Sequence, residues 1–316
     1  MAKLALRAGK RAQVTRGQAR SRLQQREAVE FHFYVLPWLV GFFGLTLGPL
    51  LYSLVLAFSN AQLFGAWEFV GLANFREMFR DDPLFWKALV NTAYYAFVSV
   101  PLGLVIAFLL AALLNMKFRG MALFRTIFYL PSVTSGVAVV LLWGWIFNPS
   151  FGLLNYALSR AGIQGPQWLG NPHWAMPAII IMNLWNVGVP MIIFLAALQD
   201  VPQDLYESAE LDGAGWWTKT LRITLPLVSP VVFFNLVLGL IGAFQVFMQA
   251  YVLTGGGPLD ATYVYLLHLY NNAFRYGRMG YASARAWVLF VVILALTLII
   301  SWTSRRWVYY AGEGGR

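Results

Sequence analysis

The chain has 316 residues, of which 59% are apolar and only 11% charged, with a mean hydropathy of +0.62. Soluble domains carry about 25% charged residues, so this composition excludes an ordinary water-soluble fold. The formal charge of +10 is concentrated, since Met1 to Glu30 holds eight Lys or Arg against two Glu; that points to a tail beside an anionic membrane surface rather than to nucleic acid. Cysteine is absent, which excludes a disulfide framework, a thiolate nucleophile and a cysteine-ligated metal.

Beyond a basic cytoplasmic tail over residues 1–32, six apolar stretches read as spans: Phe33 to Phe58, Ala88 to Leu114, Thr126 to Phe147, Trp174 to Leu198, Pro226 to Leu253 and Met279 to Ser304. Apart from Arg285 in the last, none holds Asp, Glu, Lys or Arg. Runs of this length satisfy their backbone as helices, whereas barrel strands would alternate over about ten residues. The expected fold is therefore all-α, a polytopic membrane protein with six transmembrane helices. The first run, from Phe33, exceeds the roughly 7 to 15 residues of a cleavable leader core, so it is read as a retained span.

Summing Lys and Arg over alternate loops places sixteen on one side, including Lys117, Lys219, Arg222, Arg305 and Arg306, and seven on the other. The richer side is expected to be cytoplasmic, with both termini and the carboxyl tail 307–316 on it. The external connections are Ser59 to Trp86, Asn148 to His173, with a short apolar piece Phe151 to Leu158 that lies at the interface or re-enters, and Thr254 to Arg278.

Several mechanisms lack their parts. All thirteen carboxylates fall outside the span cores, so proton coupling has no evident carrier group. His32, His173 and His268 are scattered near span boundaries, without the helical spacing of a metal site, and read as interfacial polar residues. No phosphate-cradling Gly-Lys-Ser/Thr motif is present, so ATP-driven transport would need the nucleotide on another chain.

One connection is unusual. Asp200, Asp204, Glu207, Glu210 and Asp212 crowd the cytoplasmic segment 199–226, where basic residues normally prevail. Pro202 fits a helix start, Asp204 complements its dipole, and Gly213 with Gly215 stops it. A second short helix is expected from Trp216 to Leu225, with Pro226 opening the fifth span. The resulting helix-turn-helix displays acid toward the cytosol, as a solvated connector or as a docking element.

Glu207-Ser208-Ala209, then Gly213, then Ile223-x-Leu225-Pro226 resembles the EAA loop of permease subunits in bacterial ABC importers, with Ser208 standing where Ala is usual. Further segments are similar to the maltose-type, carbohydrate-uptake branch: Gly71-Leu72-x-Asn74-Phe75, Phe124-Arg125-Thr126 with Leu130-Pro131, Phe147-Asn148-Pro149 with Phe151-Gly152-Leu153-Leu154-Asn155, Thr254-Gly255-Gly256-Gly257-Pro258, and Met279-Gly280-Tyr281-Ala282-Ser283-Ala284. The resemblance covers roughly residues 33–306. It implies a non-enzymatic transport subunit in the bacterial plasma membrane, paired with a second permease subunit, two copies of an ABC ATPase subunit, an external solute-binding protein and a sugar substrate. No cofactor is expected on this chain; ATP and magnesium belong to the partner ATPase. Glu207 would meet a basic ATPase residue, Gly213 would turn between the two coupling helices, and Ser208, Ala209, Asp212, Ile223, Leu225 and Pro226 would shape that contact.

A sugar path should combine aromatic faces with amide hydrogen bonds. Trp185, Asn186 and Val189 sit midway along the fourth span beside Gly188 and Pro190, and Gly242, Ala243, Gln245, Val246 and Gln249 sit near the centre of the fifth. The resemblance places the maltose-type site at about these positions, though Gly242, Ala243 and Val246 stand where that family carries Asn or aromatics. Asn and Gln in membrane bundles also bond neighbouring helices, and the partner subunit is an alternative home for the substrate. Arg285 either faces the path, snorkels to headgroups, or bonds a neighbouring helix, with the last two preferred. A self-sufficient channel or ion-coupled carrier, and a membrane scaffold, are the competing functions.

Overall fold

A computed structural model describes Glu27 and residues 30–116 and 119–310; nearly all of the basic tail, Lys117 and residues 311–316 of the carboxyl tail lie outside the described residues. Among the described residues the architecture is helical, with a single isolated bridge between Ser59 and Phe69. The chain divides into two units, one ending at Leu56 and the other running from Ala57.

Helix α1, Glu30–Ala57, passes through a π segment at Phe42–Leu47, and most of its large apolar side chains are exposed. In the second unit, α2 is Pro83–Leu114, α3 Met121–Val133, α4 Gly136–Ile146, α5 Leu153–Arg160, α6 Pro172–Leu184, α7 Gly188–Gln199 and α8 Gln203–Leu211. Then come α9, Trp216–Lys219, a π segment Thr220–Thr224, α10, Leu225–Phe244, and α11, Met248–Leu253. Helix α12, Tyr265–Tyr270, and α13, Met279–Ser304, complete the order.

Four helical runs, Glu30–Ala57, Pro83–Leu114, Trp216–Leu253 and Met279–Ser304, are long and apolar enough to cross a bilayer. Two bent pairs, α3 with α4 at 101° and α6 with α7 at 46°, raise the number to six if each is one span. The 101° bend departs from the continuous third span expected over Thr126 to Phe147. Thr134 and Ser135 are extended there, just past Pro131, and extended backbone breaks the helical ladder. Helix α2 also starts earlier than expected: Asp82 caps it by accepting from Phe85 N–H at 3.2 Å, with Pro83 in the first turn, an arrangement suited to a helix start.

Helix α2 is the hub, packing against α6, α7, α10 and α12. Its buried face steps through Ala88, Thr92, Ala96, Val100, Ala107 and Ala111 at helical spacing. Small side chains on one stripe let neighbouring backbones approach, which is how helices pack where lipid removes the hydrophobic drive. A similar approach fixes α7: a Cβ on Gly188 would lie 2.8 Å from the Phe128 carbonyl oxygen and 2.9 Å from Tyr129 Cα, so the start of α7 lies directly on α3.

The second short helix, expected from Trp216 to Leu225, is not separate from the fifth span. Pro226 cannot donate to the preceding turn, and the wide π turn Thr220–Thr224 carries the helix past it, so Trp216 leads into α10 without a break. The segment Thr254 to Arg278, expected as a loop, contains α12 and a π segment Asn271–Arg275. Its Gly-rich start is pinned to α2, where Asn91 Nδ2 donates to the Asp260 and Tyr263 carbonyls and Lys87 Nζ to the Leu259 carbonyl. The apolar piece Phe151 to Leu158 becomes α5, with Phe151, Leu153 and Tyr156 exposed.

Candidate functional site

Two helix breaks face one another. Between α6 and α7 the chain unwinds over residues 185–187, ahead of Gly188 and Pro190; between α10 and α11 it unwinds over residues 245–247. The Gln245 and Val246 N–H groups close α10 with bonds to the carbonyls three residues back. A cavity of about 550 Å³ lies at these breaks, within the range of small-molecule sites.

Of the eight residues expected along the path, Asn186, Val189, Gly242, Ala243, Gln245, Val246 and Gln249 line this cavity. Trp185 does not; its ring packs edge-on against Trp143 at 5.9 Å between centroids. The sequence reading missed Tyr95, Ser99, Asn183 and Asn235, which also line it. An amide at helical spacing from Asn186 was the available signal for Asn183; for Tyr95 and Ser99 there was none.

The amides divide into two kinds. Asn74, Asn91, Asn155 and Asn271 are spent on backbone or side-chain bonds that hold the fold, and Asn235 donates to the Val231 carbonyl at 3.1 Å. The side chains of Asn183, Asn186, Gln245 and Gln249 make no hydrogen bond to any described residue. Polar groups in membrane bundles ordinarily find a partner; these four amides, Asn186 and Gln245 exposed and Asn183 and Gln249 half-buried, line the cavity with their hydrogen-bonding groups open.

The acidic elbow is α8, a turn at Gly213 and α9. Gly213 adopts φ +77°, a left-handed conformation in which a Cβ is strained, and the Ala214 N–H then bonds the Ala209 carbonyl at 2.8 Å. Tyr206 and Thr224 hydroxyls meet at 2.9 Å, and Lys219 Nζ reaches Glu210 Oε1 at 2.6 Å, tying the two arms together. Glu207 is exposed and bonds only locally, accepting from Gln203 Nε2 at 2.8 Å. Ser208, Asp212 and Gly213 are exposed beside it, Ala209, Ile223, Leu225 and Pro226 are half-buried, and Leu211, Trp216 and Trp217 stand bare.

Arg285 takes one of its two preferred roles, the bond to a neighbouring helix. Its side chain is fully buried, not snorkelling, with Nη1 at 3.2 Å from Asp82 Oδ2. Tyr281 donates to the same oxygen at 2.6 Å, and the rings of Tyr265 and Phe85 flank the guanidinium at 4.9 and 5.3 Å. His268 is likewise buried rather than interfacial. Its Nε2 lies 3.3 Å from Arg285 Nη1, and since arginine only donates, the imidazole accepts there. Burial first, and the Arg285 charge second, hold His268 down to about 4 against the opposing pull of Asp82. The cluster joins α2, α12 and α13 and uses up the charge that would otherwise be free to meet a solute.

Residues 99–309 match the family described as binding-protein-dependent transport system inner membrane components. The chain belongs to that family. It is 41% identical over 298 residues to a probable ABC transporter permease, YesP of Bacillus subtilis, covering 93% of this chain and 96% of that one. The lactose transport permease LacF of Rhizobium radiobacter is 34% identical, covering 91% of this chain and 98% of LacF. The trehalose/maltose permease MalF of Thermococcus litoralis is also 34% identical, covering 88% and 95%. Among solved structures, a chain of a bacterial alginate ABC transporter, in complex with an alginate pentasaccharide-bound periplasmic protein, aligns with a TM-score of 0.78 at 28% identity, covering 89% of this permease and 96% of that chain. The permease is thus a transport component, and its apolar helices belong in a membrane.

Proposed function

We propose that this permease is one of two membrane subunits of an ATP-driven sugar importer, in the bacterial plasma membrane, with six spans and both termini cytoplasmic. An external solute-binding protein delivers a sugar or oligosaccharide to the cavity between the helix breaks. A separate ATPase, present in two copies and holding ATP and magnesium, drives transport through the elbow around Glu207. The observation that carries this reading is the elbow: its fold is closed internally by Tyr206–Thr224 and Lys219–Glu210, yet it leaves Glu207 and Asp212 beside bare Leu211, Trp216 and Trp217. Exposed apolar groups mixed with unpaired acid fit a basic, partly apolar protein cleft.

The permease can be reconstituted in liposomes alone, and then with its second permease, ATPase and solute-binding protein. Sugar uptake that needs ATP and the full set supports the proposal; uptake by the permease alone would refute it in favour of a channel or carrier. Glu207→Ala should insert and fold as the parent does but lose ATPase on co-purification, since truncating one partner of an interfacial charge pair costs about 2–5 kcal/mol.

A further inference from the structure

Resting on the sugar reading above, we infer that the pathway half built by this permease selects uncharged polyhydroxylated solutes and rejects acidic ones such as uronates and sugar phosphates.

Among the described residues no charged side chain lines the cavity. Arg285, the charge within a predicted span, is paired with Asp82 and enclosed by Tyr265, Tyr281 and Phe85. The polar lining is neutral: the Tyr95 and Ser99 hydroxyls, Asn235, and four unclaimed amides, Asn183 and Asn186 from the α6 side and Gln245 and Gln249 from the α10–α11 side. An amide offers both acceptor and donor, matching hydroxyl groups, which also do both. A carboxylate or phosphate only accepts, so it can use the amide NH2 groups alone, without the full charge that would offset its own. Desolvating an unpaired anion is far more costly than desolvating a hydroxyl.

The helix ends do not supply the missing positive charge. Each break brings a carboxyl-terminal end, α6 or α10, next to an amino-terminal end, α7 or α11, so the opposed partial charges of about half a unit offset one another. Phe247 adds an apolar edge to the lining, its ring packed against Tyr251 and Tyr270 at 5.2 and 5.1 Å between centroids. The solved alginate transporter, built on a similar scaffold, imports an acidic polysaccharide. A similar scaffold thus serves an acidic cargo in that transporter, and the neutral lining here is the basis for a different selectivity.

The test uses the full complex in proteoliposomes with ATP, offered labelled partial hydrolysates of hemicellulose and pectin that have been separated by anion exchange into neutral and acidic pools. Uptake should favour the neutral pool by at least about tenfold. Equal or preferential uptake from the acidic pool would overturn the inference while leaving the importer reading intact. Uptake from neither pool would instead overturn the sugar reading and the inference with it. Asn186→Ala and Gln245→Ala should each lower neutral uptake by about tenfold, with assembly of the complex checked by gel filtration. Unchanged uptake in both variants would count against direct recognition by these amides.

Discussion

Replacing Asp82 with alanine removes three things at once. Arg285 Nη1 loses its carboxylate at 3.2 Å, Tyr281 loses its acceptor at 2.6 Å, and α2 loses the cap on Phe85 N–H. Arg285 cannot recover by reaching solvent, since its side chain is 0% exposed. Removing one member of a buried ion pair costs about 3–5 kcal/mol, and loss of a cap adds roughly 1 kcal/mol. Asp82 is 15% exposed, so some solvent screening reduces the first figure, and a loss of about 4 kcal/mol in order of magnitude is expected. Thermal unfolding in detergent, followed by tryptophan fluorescence, reads the change for Asp82→Ala, for Arg285→Met and for the pair. The double variant should be less destabilised than Asp82→Ala alone, because it no longer buries an unpaired guanidinium. Additive losses, or an Asp82→Ala loss below about 1 kcal/mol, as surface pairs give, would refute the reasoning.

Three further outcomes are expected. The His268 imidazole is held at about 4 against an ordinary 6.5, so the unfolded chain binds more protons between these values; the contribution to stability is complete above 6.5 and is lost as pH falls through 4. A pH series of melting temperatures should show this slope, and His268→Gln should flatten it. Gly213→Ala should loosen the elbow by about 1 kcal/mol, read as faster hydrogen exchange at the Ala214 amide, with a smaller effect for Gly213→Asn. Gly188→Ala forces a Cβ to 2.5 Å from Ser132 Oγ and 2.8 Å from the Phe128 carbonyl, so it should cost about 1–3 kcal/mol of stability, and Gly188→Leu should prevent folding as judged by recovery of monodisperse protein.

Much of the architecture was legible because bilayer-length apolar runs leave few alternatives, and the break before α7 was legible in Gly188 and Pro190. The cavity residues were legible by type: an amide at mid-span is worth singling out whatever surrounds it. Which amides are free was not, since Asn235 and Asn186 look alike in sequence, yet Asn235 is buried and donates to the Val231 carbonyl while Asn186 is exposed. The Asp82–Arg285 pair lay beyond reach because its members are 203 residues apart, and position within a span says only that a charge needs relief, not where it finds it. Trp185 was misplaced because adjacency to a break does not fix which way a ring turns. Several motif residues proved to be structural: Asn74 bonds the Ala57 and Ser59 carbonyls, Arg125 the Leu114 carbonyl at the end of α2, and Asn155 accepts from Trp168 Nε1.

The helical path from Trp216 to Phe244 has no gap between the elbow and the cavity. At 1.5 Å per residue that is a rod of roughly 40 Å, longer than the hydrocarbon slab it would traverse. Past the π turn and Pro230, the helix first unwinds at residues 245–247, beside the cavity. In the proposed importer, a push on the elbow would be carried along one continuous helix to the break beside the cavity.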